Sequence, residues 1–315
     1  MKIVITDAST VTGGDLSFDI FKKFGELFVY DLSTNEETKE RIRDADIVLC
    51  NKTSMTRDVL ESAQNLKYIG LFATGFNNVD LDYTNKKGIT VCNVPGYSTE
   101  AVAQHTFALI LEVISRVSDY NKTVKDGDWV KSKTFSYFPI PIFELSGKTI
   151  GIVGLGSIGI RVAEIAKAFG MNVIFYNRSN KNIDGMTQVD FDTLLKESDI
   201  VTLHCPLNSQ SDSIMNKDAF AKMKDNSIFI NTARGGLVDE YALKEALLCG
   251  KLLGAGLDVL RKEPMDENCP LINIDNCIIT PHIAWASLET RRRLLKIVVD
   301  NIEKYLNGTP VNTLS

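Results

Sequence analysis

The sequence predicts an α/β protein built from two doubly wound parallel-sheet units, one inserted in the other. Three observations carry that prediction. Short β-branched runs alternate with helical patterns along nearly the whole chain, the signature of parallel sheets covered on both faces. A length of 315 residues is long for one core and comfortable for two domains. A long helical stretch and an irregular aromatic segment then separate two sets of strand candidates.

In the first set the candidates are Lys2–Asp7, Glu26–Asp31, Asp46–Cys50, Lys67–Ala73 and Ile89–Val94, with helical stretches such as Ser54–Ala63 between them. This unit ends near Val94-Pro95-Gly96. A helix follows, with Thr99 as its expected N-cap, Glu100 in the favourable first turn and apolar residues from Val102 to Val117 at three-to-four spacing. Asn121–Ser146 reads as irregular, aromatic and proline-containing, and suits a subunit contact. Six further candidates come next: Lys148–Gly154, Asn172–Asn177, Asp199–His204, Ser227–Asn231, Gly254–Val259 and Cys277–Pro281. That count fits a full dinucleotide-binding sheet. The last helix, about Leu288–Leu306, has no strand of its own sheet to follow and is expected to pack back on the first unit. The domains are therefore set at 1–98 with 287–315, and at 99–286.

Composition narrows the partners. Hydrophobic content of 44% and charged content of 24% are those of ordinary soluble proteins, and the net charge of −5 weighs against nucleic acid or an anionic membrane. No apolar run approaches the roughly 20 residues that span a bilayer, and the start, MKIVITDAST, lacks a signal-peptide core, so a cytoplasmic protein is expected. The six cysteines form no C-x-x-C pair and read as reduced thiols, with no metal site.

Gly154, Gly156 and Gly159 form G-x-G-x-x-G between an apolar strand and a helix. In that context Gly154 permits the tight turn, Gly156 lets a pyrophosphate approach and Gly159 lets the helix pack on the strand. The helix N-terminus, with Ser157 and Ile158, offers N–H groups and partial positive charge to the phosphates. NAD-binding sheets usually end the next strand on a carboxylate that binds the ribose 2′-OH. Here the residues are Asn177 and Arg178. Neither repels a 2′-phosphate and a guanidinium suits one, so NADPH is expected to serve at least as well as NADH. The alternative is that Arg178 stacks on adenine.

A proton donor tuned near neutrality suggests histidine, and there are three. His105 lies within a helical stretch and reads as structural. His204 and His282 both follow strands, where α/β sheets bind ligands, and spacing alone does not choose between them.

From about Leu66 to Leu306 the chain resembles the D-isomer-specific 2-hydroxyacid dehydrogenases. The motifs are Ala73–Asp80 (ATGFNNVD), Gly154–Gly159 (GLGSIG), Asn231–Leu243 (NTARGGLVDEYAL), Gly254–Val259 (GAGLDV), Glu263-Pro264 and Pro281–Trp285 (PHIAW). The resemblance implies a Rossmann NAD(P)-binding domain inserted in a flavodoxin-like substrate domain, and a homodimer. It implies Arg234 as the clamp on the substrate's carboxylate and carbonyl oxygen, His282 as the proton donor in reduction, and Glu263 as the partner that orients the imidazole and favours its protonated form. It further implies that the backbone of Ala73-Thr74-Gly75 donates to the carboxylate, and that Asp258 lies near the nicotinamide. Thr232, Ala233, Cys205, Pro206 and Ala284 would line the cofactor cleft, with His204 in a supporting role.

Within the family, Pro281–Trp285 followed by Ala286–Arg291 is most similar to glycerate dehydrogenases, also called hydroxypyruvate or glyoxylate reductases. Trp285 would close a small polar pocket beside the substrate side chain. The expected reaction is NAD(P)H-dependent reduction of hydroxypyruvate or glyoxylate to D-glycerate or glycolate. The alternatives are a D-lactate or D-3-phosphoglycerate enzyme, or a non-catalytic NAD(H) sensor. Leu260 and Met265-Asp266 depart from the family pattern outside the Arg–Glu–His set.

Overall fold

The computed structural model describes residues 1–314; Ser315, the last residue of the expected 287–315 segment, lies outside them. The chain forms two compact units, Met1–Ser98 with Ala286–Ser315, and Thr99–Trp285.

The first unit runs β1 (Lys2–Ile5), β2 (Glu26–Val29), α1 (Asn35–Arg41), β3 (Ile47–Cys50), α2 (Arg57–Leu60), β4 (Tyr68–Leu71), α3 (Leu81–Lys87) and β5 (Thr90–Cys92). All strand pairs are parallel, in the order β2-β1-β3-β4-β5. The central strands β3 and β4 are buried at every residue, which is why they read as unbroken apolar runs. Local chemistry sets the helix starts. Thr34 and Glu37 form a capping box on α1, and the Asp80 carboxylate caps α3 through Tyr83 N–H.

The helix expected over Ser54–Ala63 is shorter than its pattern. Met55 pairs instead with Val79 in a parallel bridge, its N–H donating to Asn78 O at 2.7 Å, so helix begins only at Arg57.

The second unit opens with α4 (Thr99–Ser115) and α5 (Val117–Lys125). Thr99 is the first helical residue, one position inside the cap expected of it. Arg116 takes a left-handed conformation (φ 53) and separates the two helices, although the apolar spacing ran on to Val117. The segment read as irregular from Asn121 thus begins in helix, and only the stretch from Asp126 to Ser146 lacks helix and strand.

Seven parallel strands follow: β6 (Thr149–Val153), β7 (Asn172–Tyr176), β8 (Thr187–Gln188), β9 (Ile200–Leu203), β10 (Ser227–Asn231), β11 (Leu252–Leu257) and β12 (Cys277–Ile279). Between them lie α6 (Ser157–Ala168), α7 (Phe191–Glu197), α8 (Lys217–Lys222) and α9 (Glu240–Leu248). The sheet order is β12-β11-β10-β9-β6-β7-β8, the dinucleotide-binding order with one added edge strand. Six strands were expected. The seventh, β8, has two residues and no apolar alternation to announce it.

The final helix, α10 (Leu288–Leu306), returns to the first unit and packs on β4. Ser287 caps it, Arg291 pairs with Asp15, and buried Asn301 donates to Asn93 O at 3.0 Å. Among the described residues no helix is long and apolar enough to cross a membrane.

Candidate active site

In the first unit the strand order reverses direction at β1 and β3, and loops following these strands mark the usual ligand edge. Asp7, just past β1 and 2% exposed, accepts N–H bonds from Asn51 (2.9 Å), Lys52 (2.5 Å) and Thr53 (2.7 Å) just past β3. One buried carboxylate therefore fixes that loop. Past β4, the turn Ala73-Thr74-Gly75 is held from its other side: Val94 N–H donates to Ala73 O, the Thr74 hydroxyl to Val94 O, and Asn93 Nδ2 to Thr74 O at 2.7 Å. The N–H groups of Thr74 and Gly75 donate to no described residue, which leaves them for an anion.

In the second unit each candidate site residue follows the carboxyl end of a strand. After β6, Gly154 has φ 96, and a Cβ there would lie 2.7 Å from Cys205 N; only glycine fits. A Cβ on Gly159 would lie 2.3 Å from Gly154 O, so this glycine lets α6 sit close on the turn, while open space lies over Gly156. A free face above Gly156 and the N-terminus of the twelve-residue α6, which starts with Ser157 and Ile158, fit a dinucleotide's pyrophosphate.

After β9, His204 donates its backbone N–H to Val153 O at 2.8 Å, and its Nε2 lies 3.0 Å from the Thr202 hydroxyl. Burial pushes its imidazole down to about 3, so it is neutral at physiological pH and poorly suited to deliver a proton. Burial raises the neighbouring Cys205 thiol, which keeps it protonated. Pro206 O accepts from Ser211 Oγ at 2.8 Å and closes the loop.

After β10, buried Asn231 shapes the turn that carries the arginine. Its Oδ1 accepts from Ala233 N at 3.0 Å and its Nδ2 donates to Arg234 O at 2.9 Å. Thr232 is tied by its hydroxyl to that of Thr106 on α4 (3.0 Å). The Arg234 side chain is exposed, and among the described residues its guanidinium bonds only Ala233 O, at 2.7 Å.

The histidine site is the most constrained. Asp258, past β11 and 1% exposed, accepts from Thr280 Oγ1 (2.6 Å), Ile283 N (2.9 Å) and Ala284 N (2.8 Å), while its backbone oxygen accepts from His282 N at 2.8 Å. Trp285 Nε1 donates to His282 O at 3.0 Å. These bonds hold His282 in a left-handed conformation (φ 56) that residues with side chains rarely adopt. Its Nδ1 lies 2.6 Å from Glu263 Oε2, and Leu260 N–H donates to Glu263 Oε1 at 3.0 Å. With Nδ1 bonded to the carboxylate, Nε2 is the nitrogen left to exchange a proton with another molecule. A carboxylate-oriented imidazole and an available guanidinium can together bind an anionic oxygen compound and move one proton.

The family model for the D-isomer-specific 2-hydroxyacid dehydrogenase NAD-binding domain matches residues 107–284. The hydroxypyruvate reductase of Blautia hydrogenotrophica is 43% identical over all of both chains. The chain belongs to the D-isomer-specific 2-hydroxyacid dehydrogenase family. It is similar also to the glycerate dehydrogenase of Methylorubrum extorquens, 38% identical over 99% of this chain and 98% of that one. Among solved structures it resembles an acyclic imino acid reductase, Bsp5, in complex with NADPH and D-Arg, with a TM-score of 0.89 and 35% identity over all of both chains. As a member of this family the chain is an oxidoreductase of 2-hydroxy and 2-keto acids that uses a nicotinamide cofactor.

In this dehydrogenase the turn after β7 contains a residue bonded to the glycine-rich loop that its sequence does not mark. Lys181 Nζ donates to Leu155 O, inside the phosphate loop, at 2.6 Å. Asn177 also serves that loop, its Oδ1 accepting from Leu155 N at 3.3 Å, and its Nδ2 donates to Ser179 Oγ at 2.9 Å. Arg178 is exposed and touches Gln210 Oε1 at 3.4 Å. The nearby carboxylate of Asp190 caps α7 through the N–H and hydroxyl of Thr193. Lys181 lies in a polar turn with no pattern to mark it, and its bond to Leu155 exists only once the sheet is folded.

Proposed function

We propose that this dehydrogenase reduces hydroxypyruvate or glyoxylate to D-glycerate or glycolate with NAD(P)H, and catalyses the reverse. The observation that carries the chemistry is the His282–Glu263 pair, clamped into a left-handed turn by Asp258 and Trp285. When bound, the nicotinamide supplies the hydride to the carbonyl carbon. Arg234 holds the carboxylate and carbonyl oxygen, His282 Nε2 delivers the proton to that oxygen, and Glu263 stabilises the imidazolium before transfer. In the first unit the N–H groups of Thr74 and Gly75 are donors to a carboxylate. Trp285, its indole fixed by the bond to His282 O, leaves room for a hydroxymethyl group or a hydrogen. Full-length similarity to a hydroxypyruvate reductase and a glycerate dehydrogenase supports these substrates over D-lactate or phosphoglycerate chemistry.

The test compares kcat/KM for hydroxypyruvate, glyoxylate, pyruvate and phosphohydroxypyruvate. The first two should lead by about tenfold or more, a difference of roughly 1.4 kcal/mol. A larger or phosphorylated keto acid in the lead contradicts the assignment, and cofactor binding without turnover of any of them favours a sensor.

NADPH is proposed to serve at least as well as NADH, because Arg178 and Lys181 flank the end of β7 where NAD enzymes place a carboxylate. Asn177→Asp would put a negative charge beside the 2′-phosphate. It should move the NADPH/NADH ratio of kcat/KM toward NADH by about 10- to 100-fold. A wild-type enzyme with a strong preference for NADH would refute this reading.

A homodimer is proposed through the segment from Asp126 to Ser146. Val130, Phe135 and Phe138 there are 89%, 92% and 82% exposed, and such a patch marks an interface. Light scattering should give about twice the chain mass of 34.9 kDa; a monomer at micromolar concentration contradicts it.

A further inference from the structure

His105 reads from sequence as a structural residue of a helix, but in the fold it reaches the loop that carries His282. From α4, its Nε2 lies 2.9 Å from Thr280 Oγ1 and 3.5 Å from Asp258 Oδ1. The Thr280 hydroxyl lies 2.6 Å from Asp258 Oδ1, the shorter contact and the one to an ionised acceptor. A hydroxyl has one proton. Given to Asp258, it leaves Thr280 Oγ1 an acceptor toward His105, so His105 Nε2 is the donor. The result is a relay from His105 through Thr280 to Asp258.

Asp258 is the anchor of the catalytic turn on both of its sides. Its carboxylate holds the N–H groups of Ile283 and Ala284, and its backbone oxygen holds that of His282. A buried carboxylate must have its oxygens bonded, and a left-handed residue persists only when its surroundings over-determine it. The next residue on the same helix repeats the arrangement, since Thr106 meets Thr232 in the turn that carries Arg234. Two neighbouring side chains of α4 thus tie down both loops.

We propose that His105 is a positioning residue for the dehydrogenase reaction, holding the His282 turn in register through Thr280 and the Asp258 carboxylate. The assignment rests on His282 being the proton donor. His105 itself touches neither substrate nor cofactor in this account.

The test uses the full-length enzyme and the variants His105→Leu, His105→Gln, Thr280→Val and the double His105→Leu/Thr280→Val, with His282→Ala as reference. Hydroxypyruvate kcat and KM, the solvent isotope effect on kcat, and the NADPH Kd from fluorescence are measured for each. Misaimed proton transfer predicts that His105→Leu and Thr280→Val each lower kcat about tenfold. The isotope effect should rise, and the NADPH Kd should stay within twofold. Because both act through one relay, the double variant should fall no further than the worse single one. Gln presents an amide N–H near the position of Nε2 and should stay within about threefold of wild type.

Wild-type kcat and isotope effect in His105→Leu overturn the proposal, as does a double variant whose losses multiply. Thr280→Val, nearly isosteric, keeps the question open to decision if His105→Leu fails to fold. A fully active His282→Ala would instead show that the donor assignment is at fault.

Discussion

Replacing His282 by alanine is expected to lower kcat/KM for the 2-keto acid by about 10³, or roughly 4 kcal/mol of transition-state stabilisation, the middle of the range for a general acid. The imidazole is half-buried and bonded on one side to Glu263, and the turn around it is held through the His282 backbone, which bonds Asp258 and the Trp285 indole. The melting temperature and the NADPH affinity should therefore change little, and the loss should appear in kcat. Glu263→Gln is expected to be milder, about 10- to 100-fold, because the amide can still accept from Nδ1 but no longer stabilises a charged imidazole. A His282→Ala enzyme within tenfold of wild type would leave the His–Glu pair without a catalytic role.

Arg234→Ala should cost as much, and through a different constant. In the folded chain the guanidinium bonds only the Ala233 carbonyl among the described residues, so it is available as a two-pronged donor to a carboxylate. Its turn is shaped by Asn231 and Thr232, not by its own side chain, and the fold should survive its loss. Truncation is expected to raise KM for hydroxypyruvate about 100-fold or more and to lower kcat about tenfold, since the same group holds the reacting carbonyl. Arg234→Lys keeps the charge without the fork, and should recover only part of the affinity. Steady-state kinetics over a wide substrate range separates these constants. An unchanged KM in Arg234→Ala would mean that the carboxylate is held elsewhere.

The parts of this molecule that a sequence reveals are those written in local pattern. Strands β3, β4, β6, β9 and β10 are legible as short, largely apolar runs because both faces of their sheets are covered and nearly every residue in them is buried. Gly154 and Gly159 are legible because no other residue fits a turn at φ 96 or a helix position whose Cβ would lie 2.3 Å from the Gly154 carbonyl oxygen. The choice between His204 and His282 was not in the spacing. The motif resemblance alone names His282, and the burial that keeps His204 neutral is a tertiary fact that the spacing does not carry.

What escaped the sequence depends on distant partners. His105 meets Thr280 across 175 positions, and Lys181 meets the phosphate loop across 26. Strand β8 is too short for a period, α2 loses its first turn to the Met55–Val79 bridge, and Arg116 breaks a helix whose apolar spacing runs straight through it. For α2 a long-range pairing overrode the local preference.

This enzyme is expected to deliver a hydride and a proton to the 2-carbonyl of a small keto acid, giving the D-hydroxy acid. The most direct test incubates the purified enzyme with hydroxypyruvate and limiting NADPH, following the nicotinamide absorbance while the product is resolved by enantioselective chromatography. One D-glycerate should form for each NADPH consumed, with no L-glycerate. Cofactor oxidation without glycerate, or a product containing the L-enantiomer, would contradict it.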